Sequence, residues 1–253
     1  MQLYDTFYYF KSAFTPDECN EIIRLGKEDI NNRVAKGGSP YGTVHGGIYK
    51  GADKEFKGPK LDVTTEEIKK ADKDYKEEKY YVRDSKVGWL SEEWIFRKLK
   101  HFLDIANERT TWNWDYDTFE PAQFTVYEKG GFYGWHSDGD SDYYGAYRRY
   151  IPGITPKEDY ENKKYKFTTN YDLVGKVRKI SITVNLSPAN SYEGGYLKFD
   201  YGPHAPNRFH TCEEIKDQGS LVVFPSFQFH QVTPVTKGTR YSLVLWVNGK
   251  PFR

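Results

Sequence analysis

The chain has 253 residues, which is enough for one large β domain or two small domains with a substantial buried core. Its 37 basic and 36 acidic residues give a formal net charge of +1, which argues against a polyelectrolyte partner such as nucleic acid. Hydrophobic residues make up only 38%, but 22 tyrosines and 16 phenylalanines favour aromatic-rich β structure over disorder.

Cysteine content and apolar runs indicate the environment of the protein. The two cysteines, Cys19 and Cys212, make no disulfide framework, which is typical of a reducing compartment. The N-terminal residues are polar and the longest apolar runs are short, so neither a signal peptide nor a membrane span is predicted. We therefore expect a soluble, cytoplasmic protein with no membrane and no nucleic-acid partner.

The N-terminal region begins with a predicted short strand over residues 3–10. Thr15 then starts a capping box, with Pro16 at the first helical position and Glu18 three residues after the cap. This pattern predicts a helix that runs to about Lys27, with three inward aliphatic side chains: Ile22, Ile23 and Leu25.

Residues 36–60 are rich in glycine and predict a loop, and the charged stretch 62–80 predicts a solvated surface segment with a helix from Thr64 or Thr65. Ser91 is predicted to cap a second helix that ends near Asn107. Its apolar face comprises five residues at helical spacing, Ile95, Leu99, Phe102, Leu103 and Ala106, whereas His101 is expected at the surface. Trp112 and Trp114 are interpreted as core residues of a strand.

From Phe119 onward the pattern changes to short β runs separated by turn signals. Strands are predicted at 122–128, 178–187, 195–200, 220–225, 229–235 and 239–248. Such spacing indicates a sandwich or barrel, and the antiparallel type that holds a ligand is the jelly roll. We expect a single domain over 1–253, with helical support in 1–118, a β core in 119–250 and a tyrosine-rich insertion at 139–178. The insertion is interpreted either as a substrate-covering segment or as a decorated surface loop.

Two separated β-like runs carry metal-ligand residue types. His136 and Asp138 are two residues apart, so on an extended strand both side chains leave the same face. His230 is the third candidate, and two imidazoles with one carboxylate form the facial triad of non-haem Fe(II) oxygenases. A zinc hydrolase and a set of purely structural polar residues remain open as alternatives. The other three histidines in glycine-, proline- or asparagine-rich contexts, His45, His204 and His210, are not taken as ligands.

Arg240 follows His230 by ten residues and begins the next predicted strand, where alternation places Arg240 and Ser242 on one face. A guanidinium grips a carboxylate with two parallel hydrogen bonds, and a neighbouring hydroxyl can add a third. This pair therefore suits the distal end of a dicarboxylate.

These residues resemble the Fe(II)/2-oxoglutarate-dependent dioxygenases, and most of all their prolyl 4-hydroxylase-like branch. The resemblance covers about residues 120–249 and rests on Tyr127, His136 to Asp138, Asn185 to Ser187, Glu193 to Phe199, Val223 to Ser226, His230 and Arg240 to Trp246. It implies a double-stranded β-helix, or jelly roll, in a mainly β protein with flanking helices.

The resemblance also implies the cofactors and the reaction. Fe(II) would be held by His136, Asp138 and His230, and 2-oxoglutarate and O2 would be cosubstrates, with ascorbate as an accessory reductant. Arg240 would bind the distal carboxylate of 2-oxoglutarate, with further contacts expected from Tyr127, Ser242 and Asn185, and Trp246 is expected either in the wall of the metal pocket or in the core.

For the substrate, the resemblance implies a prolyl residue of a peptide or protein. A free amino acid or a small metabolite stays open, because one fold supports many substrates. A non-catalytic β-sandwich binding module is the remaining alternative, and the presence of all four key residues argues against it.

Overall fold

The computed structural model describes residues 5–42, 48–49, 81–139, 173 and 176–252, which fold mainly into two β-sheets and two long helices joined by loops. The predicted helix near Thr64, His45 and nearly all of the 139–178 insertion lie outside the described residues.

The larger sheet, called the major sheet, has seven strands in the order β1-β12-β8-β15-β6-β4, with β5 beside β15. Its strands are β1 (Tyr8–Phe10), β4 (Lys86–Leu90), β5 (Thr118–Phe119), β6 (Ala122–Tyr127), β8 (Val177–Asn185), β12 (Leu221–Pro225) and β15 (Arg240–Gly249). All its pairings are antiparallel.

The second sheet, called the minor sheet, has six strands in the order β11-β10-β13-β7-β3-β2. These are β2 (Ile48–Tyr49), β3 (Tyr81–Asp84), β7 (Phe132–His136), β10 (Leu197–Asp200), β11 (Phe209–Thr211) and β13 (Phe229–Val232). A two-stranded sheet, β9 (Tyr192–Gly194) with β14 (Val235–Gly238), completes the β structure, and a short 3-10 helix spans Glu213–Ile215. The predicted jelly roll is confirmed.

The central strands of the major sheet, β6, β8, β12 and β15, are buried on both faces, and the alternation of their side chains gives two different environments. Ile180, Ile182 and Val184 of β8 join one hydrophobic cluster with the helices, together with alternate residues of β15. The residues between them, Ser181, Thr183 and Asn185, are also buried and point to the opposite face. A second cluster on that inner side contains Phe199 and Val232 of the minor sheet. The interior between the sheets is therefore lined by polar as well as apolar side chains.

The first helix, α1 (Pro16–Ala35), begins with the predicted capping box: Thr15 Oγ1 accepts from Glu18 N, and Glu18 accepts from Thr15 N. It extends well beyond the predicted end near Lys27. The buried face of the helix continues through Gly26 to Ile30. Because glycine is not an apolar side chain and disfavours helix, the sequence pattern did not predict this continuation.

The second helix, α2 (Glu93–Arg109), has the predicted apolar face, with Phe102 partly buried and His101 exposed. The predicted Ser91 cap is wrong, because Glu92 occupies the cap position and makes no side-chain capping bond. Within the described residues, no helix is long and apolar enough to cross a membrane.

Trp112 and Trp114 are buried and stack at 5.0 Å between ring centroids, so their core role is confirmed. The predicted strand is wrong: Thr111 and Asn113 have positive φ angles of 57° and 47°, which no strand accommodates. The six strands predicted from residue 122 onward are all present with shifted ends, and β1 occupies the end of the strand predicted at 3–10. Several shorter strands, including β3 and β4, were not predicted.

Helix α1 packs on the major sheet at two glycines. A Cβ atom on Gly26 would lie 2.2 Å from the Phe124 ring, and one on Gly88 of β4 would lie 2.8 Å from the Gly26 carbonyl oxygen. The helix can approach the sheet this closely only because neither residue has a side chain.

We expect Gly26→Ala to lower the free energy of unfolding by about 1–3 kcal/mol through overpacking, even though alanine favours helix. Urea unfolding followed by circular dichroism measures this change. Asn31→Ala, at an exposed position of the same helix, serves as the control and is expected to be neutral or stabilising. A stabilised Gly26→Ala variant would contradict the close approach.

Candidate metal centre

Two histidines lie side by side on adjacent strands of the minor sheet. His136 is the last residue of β7, and His230 of β13 pairs directly with it. Their ring centroids are 4.2 Å apart, and both rings face the interior next to Asp138.

Asp138 reaches the same point from just beyond the end of β7, rather than from the extended strand expected. The backbone N–H groups of Asp138 and Gly139 both donate to the Ser226 carbonyl oxygen, at 2.9 and 2.8 Å. This turns the carboxylate toward the imidazoles: Oδ1 lies 3.6 Å from His136 Nε2 and Oδ2 lies 3.7 Å from His230 Nε2. The three donor atoms all lie within 4.8 Å of one another.

Backbone carbonyls fix the tautomer of both imidazoles. His136 Nδ1 lies 2.7 Å from the Gly134 carbonyl oxygen, and His230 Nδ1 lies 2.8 Å from that of Gln228. Because a carbonyl oxygen only accepts, each Nδ1 carries the proton and each Nε2 keeps its lone pair. The lone pairs of both rings are thus directed to the space beside Asp138, as metal coordination requires.

The protonation states of the buried ligands also suit a metal. Burial lowers the pKa of His230 to about 4, and the nearby His136 imidazole acts in the same direction, so His230 is neutral at neutral pH. Burial alone would raise the pKa of Asp138, but His230, His136 and Arg178 together hold it below its ordinary value. The site therefore presents a carboxylate and a neutral imidazole to a cation without losing a proton from either.

A second layer of polar side chains holds the Asp138 carboxylate in place. Ser181 Oγ donates to Asp138 Oδ2 at 2.8 Å and lies 2.9 Å from Ser226 Oγ. Arg178 donates to the Asp138 carbonyl oxygen at 3.3 Å and forms a buried ion pair with Glu120, with Nε to Oε1 at 2.6 Å. Sequence reasoning missed this layer, because nothing local marks serines on neighbouring strands as partners.

We expect Ser181→Ala to weaken Fe(II) or Mn(II) binding about 10- to 100-fold, since the loss of a partner that orients a ligating carboxylate has this effect. Anaerobic metal titration measures the dissociation constant. Thr183→Ser, two residues along the same inner face, is the control and should bind metal normally. Unchanged affinity in Ser181→Ala would show that Asp138 needs no such partner.

Arg240 lies on the inner face of the major sheet, opposite Tyr127 in the pairing of β15 with β6. Its side chain is 2% exposed, and its Nη1 atom has no hydrogen-bond partner among the described residues. Ser242 lies two residues further on the same face and is also buried. A buried guanidinium with an unused donor is costly, so this position fits an anionic ligand such as the carboxylate of 2-oxoglutarate.

Tyr127 and Asn185 are the two other residues predicted to contact the cosubstrate, and their surroundings differ. The Tyr127 ring centroid is 5.6 Å from the Arg240 guanidinium carbon, and burial raises the pKa of its hydroxyl, which is therefore a donor at neutral pH. Asn185 lies opposite Ser242, but its side-chain N–H groups donate to the carbonyl oxygens of Ser187 and Lys216. Its contact with the cosubstrate stays a prediction, and would require one of these bonds to be exchanged.

Aromatic rings flank the candidate centre. The Tyr133 ring stacks on His136 with centroids 3.5 Å apart. Strand alternation alone would not place these rings together, but the pairing of β13 with β7 contains an irregularity that adds a residue between them, so Tyr133 was not predicted. Trp246 lies opposite Ser181, its Nε1 atom has no acceptor among the described residues, and Arg178 covers its ring at 3.9 Å.

Arg83 of β3 is a further interior residue that was not predicted. Its side chain is 3% exposed, donates to Ser85 Oγ and Gln123 Oε1 at 2.6 Å each, and lies 4.6 Å from the Tyr133 ring centroid. Among the described residues it makes no ion pair with a carboxylate. The only sequence signal was a charged residue inside a short β-like run.

A family model described as the 2OG-Fe(II) oxygenase superfamily matches residues 122–248, half of the chain. Two curated relatives are PKHD-type hydroxylases. One, from Cupriavidus pinatubonensis, is 41% identical over 70 residues, 27% of each chain. The other, from Stenotrophomonas maltophilia, is 33% identical over 130 residues, 50% of this chain and 42% of the relative. The chain thus spans less than half the length of these relatives.

Two solved structures share the fold over nearly the whole chain. The viral collagen prolyl hydroxylase of Paramecium bursaria Chlorella virus-1 has a TM-score of 0.52 at 15% identity, covering 97% of both chains. The Pseudomonas putida prolyl-4-hydroxylase has a TM-score of 0.51 at 15% identity, covering 98% of this chain and 95% of the other.

Proposed function

The chain belongs to the 2OG-Fe(II) oxygenase superfamily, and we propose that it hydroxylates a carbon of a prolyl residue in a peptide or protein. The observation that carries the proposal is the combination of three converging ligand atoms with the buried Arg240 guanidinium, whose Nη1 atom has no partner among the described residues. This combination supplies a metal site and a dicarboxylate site within one interior.

His136, His230 and Asp138 would hold Fe(II) on one side and leave the opposite positions open to ligands. When bound, iron with 2-oxoglutarate and O2 supplies the oxidising power: the 2-oxo acid is converted to succinate and carbon dioxide, and one oxygen atom enters the substrate C–H bond. The protein contributes position and charge. The Nδ1–carbonyl bonds orient both imidazoles, and Ser181 orients the carboxylate.

Arg240 would bind the distal carboxylate of 2-oxoglutarate through its unused Nη1 donor. The Tyr127 hydroxyl and Ser242 are on the same inner face and would donate to the cosubstrate. Because Arg240, Tyr127 and Ser242 are buried, solvent would screen the charge pair less than at the surface, and the dianion would enter an interior that already carries positive charge.

Aromatic walls support a prolyl substrate. Tyr133 and Trp246 flank the candidate iron site, and flat rings pack well against the puckered, apolar pyrrolidine ring. The Trp246 Nε1–H, which has no acceptor within the described part of the chain, would donate to a peptide carbonyl oxygen. The two solved structures that share the fold are named as prolyl hydroxylases, and the curated relatives are named as hydroxylases. The 139–178 insertion would add contacts to an extended peptide.

Arg83 favours a second candidate, the hydroxylation of a free amino acid or another small acid. This buried cation beside Tyr133 has only neutral hydrogen-bond partners among the described residues, and a substrate carboxylate would neutralise it. In a peptide, the α-carboxyl group of an internal proline is part of an amide bond and carries no charge. The two candidate functions therefore differ in whether the substrate must carry a free carboxylate that binds Arg83.

We expect the protein with Fe(II), 2-oxoglutarate and ascorbate to add one oxygen atom to an internal proline of a peptide, and to release an equal amount of succinate. Mass spectrometry of a panel of proline-containing peptides, alongside free proline and other free amino acids, measures the product. His136→Ala is the control and should give neither product. Oxidation of a free amino acid, with every peptide unchanged, would replace the first candidate by the second.

We expect Arg240→Met to weaken 2-oxoglutarate binding by about 2–5 kcal/mol, because the variant removes one partner of a buried charge pair. Anaerobic calorimetry with Mn(II) in the metal site measures this affinity without turnover. Arg240→Lys should recover part of the loss through its charge.

Arg208→Met is the matched control, because Arg208 is an exposed arginine paired with Asp200. It should bind 2-oxoglutarate normally. Equal affinities in the Arg240→Met and Arg208→Met variants would remove Arg240 from the cosubstrate site.

A further inference from the structure

One row of paired residues crosses the minor sheet, beginning at the two histidines of the candidate iron site and running away from it. In register, His136 of β7 pairs with His230 of β13, His230 pairs with Phe199 of β10, and Phe199 pairs with His210 of β11. Strands are spaced about 4.8 Å apart, so the His210 backbone lies about 10 Å from that of His230. Phe199 therefore lies between His210 and His230, and His210 is not grouped with the iron ligands.

His210 belongs to a second group of potential ligands, together with Cys212 and Glu214. The imidazole nitrogen, the thiol sulfur and a carboxylate oxygen of these residues all lie within 4.8 Å of one another. His210 Nε2 is 3.2 Å from Glu214 Oε1 and 3.3 Å from Oε2. Neighbouring ligands of a tetrahedral zinc ion are about 3.3–3.6 Å apart, as follows from metal–ligand distances of about 2.0–2.3 Å. The His210 nitrogen and the Glu214 oxygens are therefore already separated by about the distance between two ligands of one zinc ion.

The backbone brings the three side chains to one point. His210 and Cys212 are two residues apart at the end of β11, so alternation places them on the same face. The Cys212 N–H donates to the Leu197 carbonyl oxygen at 2.9 Å and so keeps this residue beside β10. The chain then turns into the 3-10 helix that contains Glu214, which returns the carboxylate to the same side.

Aromatic rings hold the His210 imidazole in one orientation. The Phe7 ring stacks on it at 5.1 Å between centroids with an interplanar angle of 27°, and the Tyr201 ring lies at 6.3 Å and 23°. Cys212 is 3% exposed, while the side chains of His210 and Glu214 are 32% and 27% exposed. The group is therefore fixed on its inner side and open to solvent on its outer side.

We propose that His210, Cys212 and Glu214 form a second metal site that binds Zn²⁺ with a water molecule in the fourth position. One sulfur, one nitrogen and one oxygen ligand suit zinc, whereas Mg²⁺ and Ca²⁺ prefer oxygen ligands alone. On binding, the Cys212 thiol loses its proton to solvent and the resulting thiolate forms the metal–sulfur bond. The site is separate from the iron site and does not depend on the proposed hydroxylation.

The simpler interpretation is a histidine–glutamate ion pair next to an inert thiol. Burial raises the pKa of the Cys212 thiol, and Glu214 raises it further, so the thiol is protonated in the absence of a metal. The two interpretations differ in one observable, which is whether a divalent cation produces a metal–thiolate bond.

Cobalt(II) titration of the full, metal-free chain tests the proposal, because Co²⁺ replaces Zn²⁺ and gives an intense ultraviolet charge-transfer band when a thiolate binds it. The iron site has no sulfur ligand, so the band reports on a cysteine outside that site, and the variants below distinguish Cys212 from Cys19. We expect the band in the parent protein, and expect added Zn²⁺ to displace Co²⁺ and abolish it. His136→Ala should retain the band while binding one metal ion fewer.

Cys212→Ser should lose the band, and Cys19→Ser is the matched control, since Cys19 is the other buried free cysteine and should keep it. Glu214→Gln, at a partly exposed position, tests the site with little risk to the fold and should weaken Co²⁺ binding at least tenfold. Circular dichroism confirms that each variant is folded. Absence of the band in the folded parent protein, or its persistence in Cys212→Ser, would overturn the proposal.

Discussion

The arrangement of the interior depends on a buried positive charge, that of Arg240, for which the described residues supply no carboxylate partner. Arg240 is almost fully buried on the inner face of the major sheet, and its Nη1 atom has no partner among the described residues. An uncompensated buried charge costs several kcal/mol, so the fold retains this residue at the expense of stability. A dianionic cosubstrate would remove that penalty on binding. The same logic applies on the other side of the interior, where the Asp138 carboxylate and two imidazoles present a binding site to a cation. The interior is thus prepared for two oppositely charged ligands.

The double-sheet architecture makes this preparation possible, because it gives each central strand of the major sheet a face toward the helices and a face toward the interior. The aliphatic residues of β8 and β15 supply the hydrophobic core with α1 and α2, while the alternate positions are free to carry serine, threonine, asparagine and arginine. The minor sheet contributes a row of rings that includes His136, His230, Phe199 and His210. An irregularity in the pairing of β7 adds Tyr133 to the wall beside the metal ligands. Stability and chemistry are therefore carried by opposite faces of the same strands.

Much of this organisation was predictable from sequence, and the parts that were not have identifiable reasons. Alternation and turn residues predicted the strands that carry His230, Arg240 and Ser242, and the capping box predicted the start of α1. Sequence could not show that Gly26 continues a buried stripe, because the absence of a side chain is what permits that contact. It missed Ser181, Tyr133 and Arg83, since cross-strand partners and a local irregularity in strand pairing leave no local pattern. His210 was set aside as a loop residue, but it lies on β11, a three-residue strand too short to show a period.

The most direct test of the central claim is an anaerobic absorbance titration of the metal-free protein with Fe(II) and 2-oxoglutarate together. If the triad binds iron and Arg240 positions the 2-oxo acid for chelation, a weak visible charge-transfer band should appear only when both are present. The band should be absent in His230→Ala. A folded protein that binds neither iron nor 2-oxoglutarate, or a band that survives in His230→Ala, would contradict the assignment of this interior as a 2-oxoglutarate-dependent iron centre.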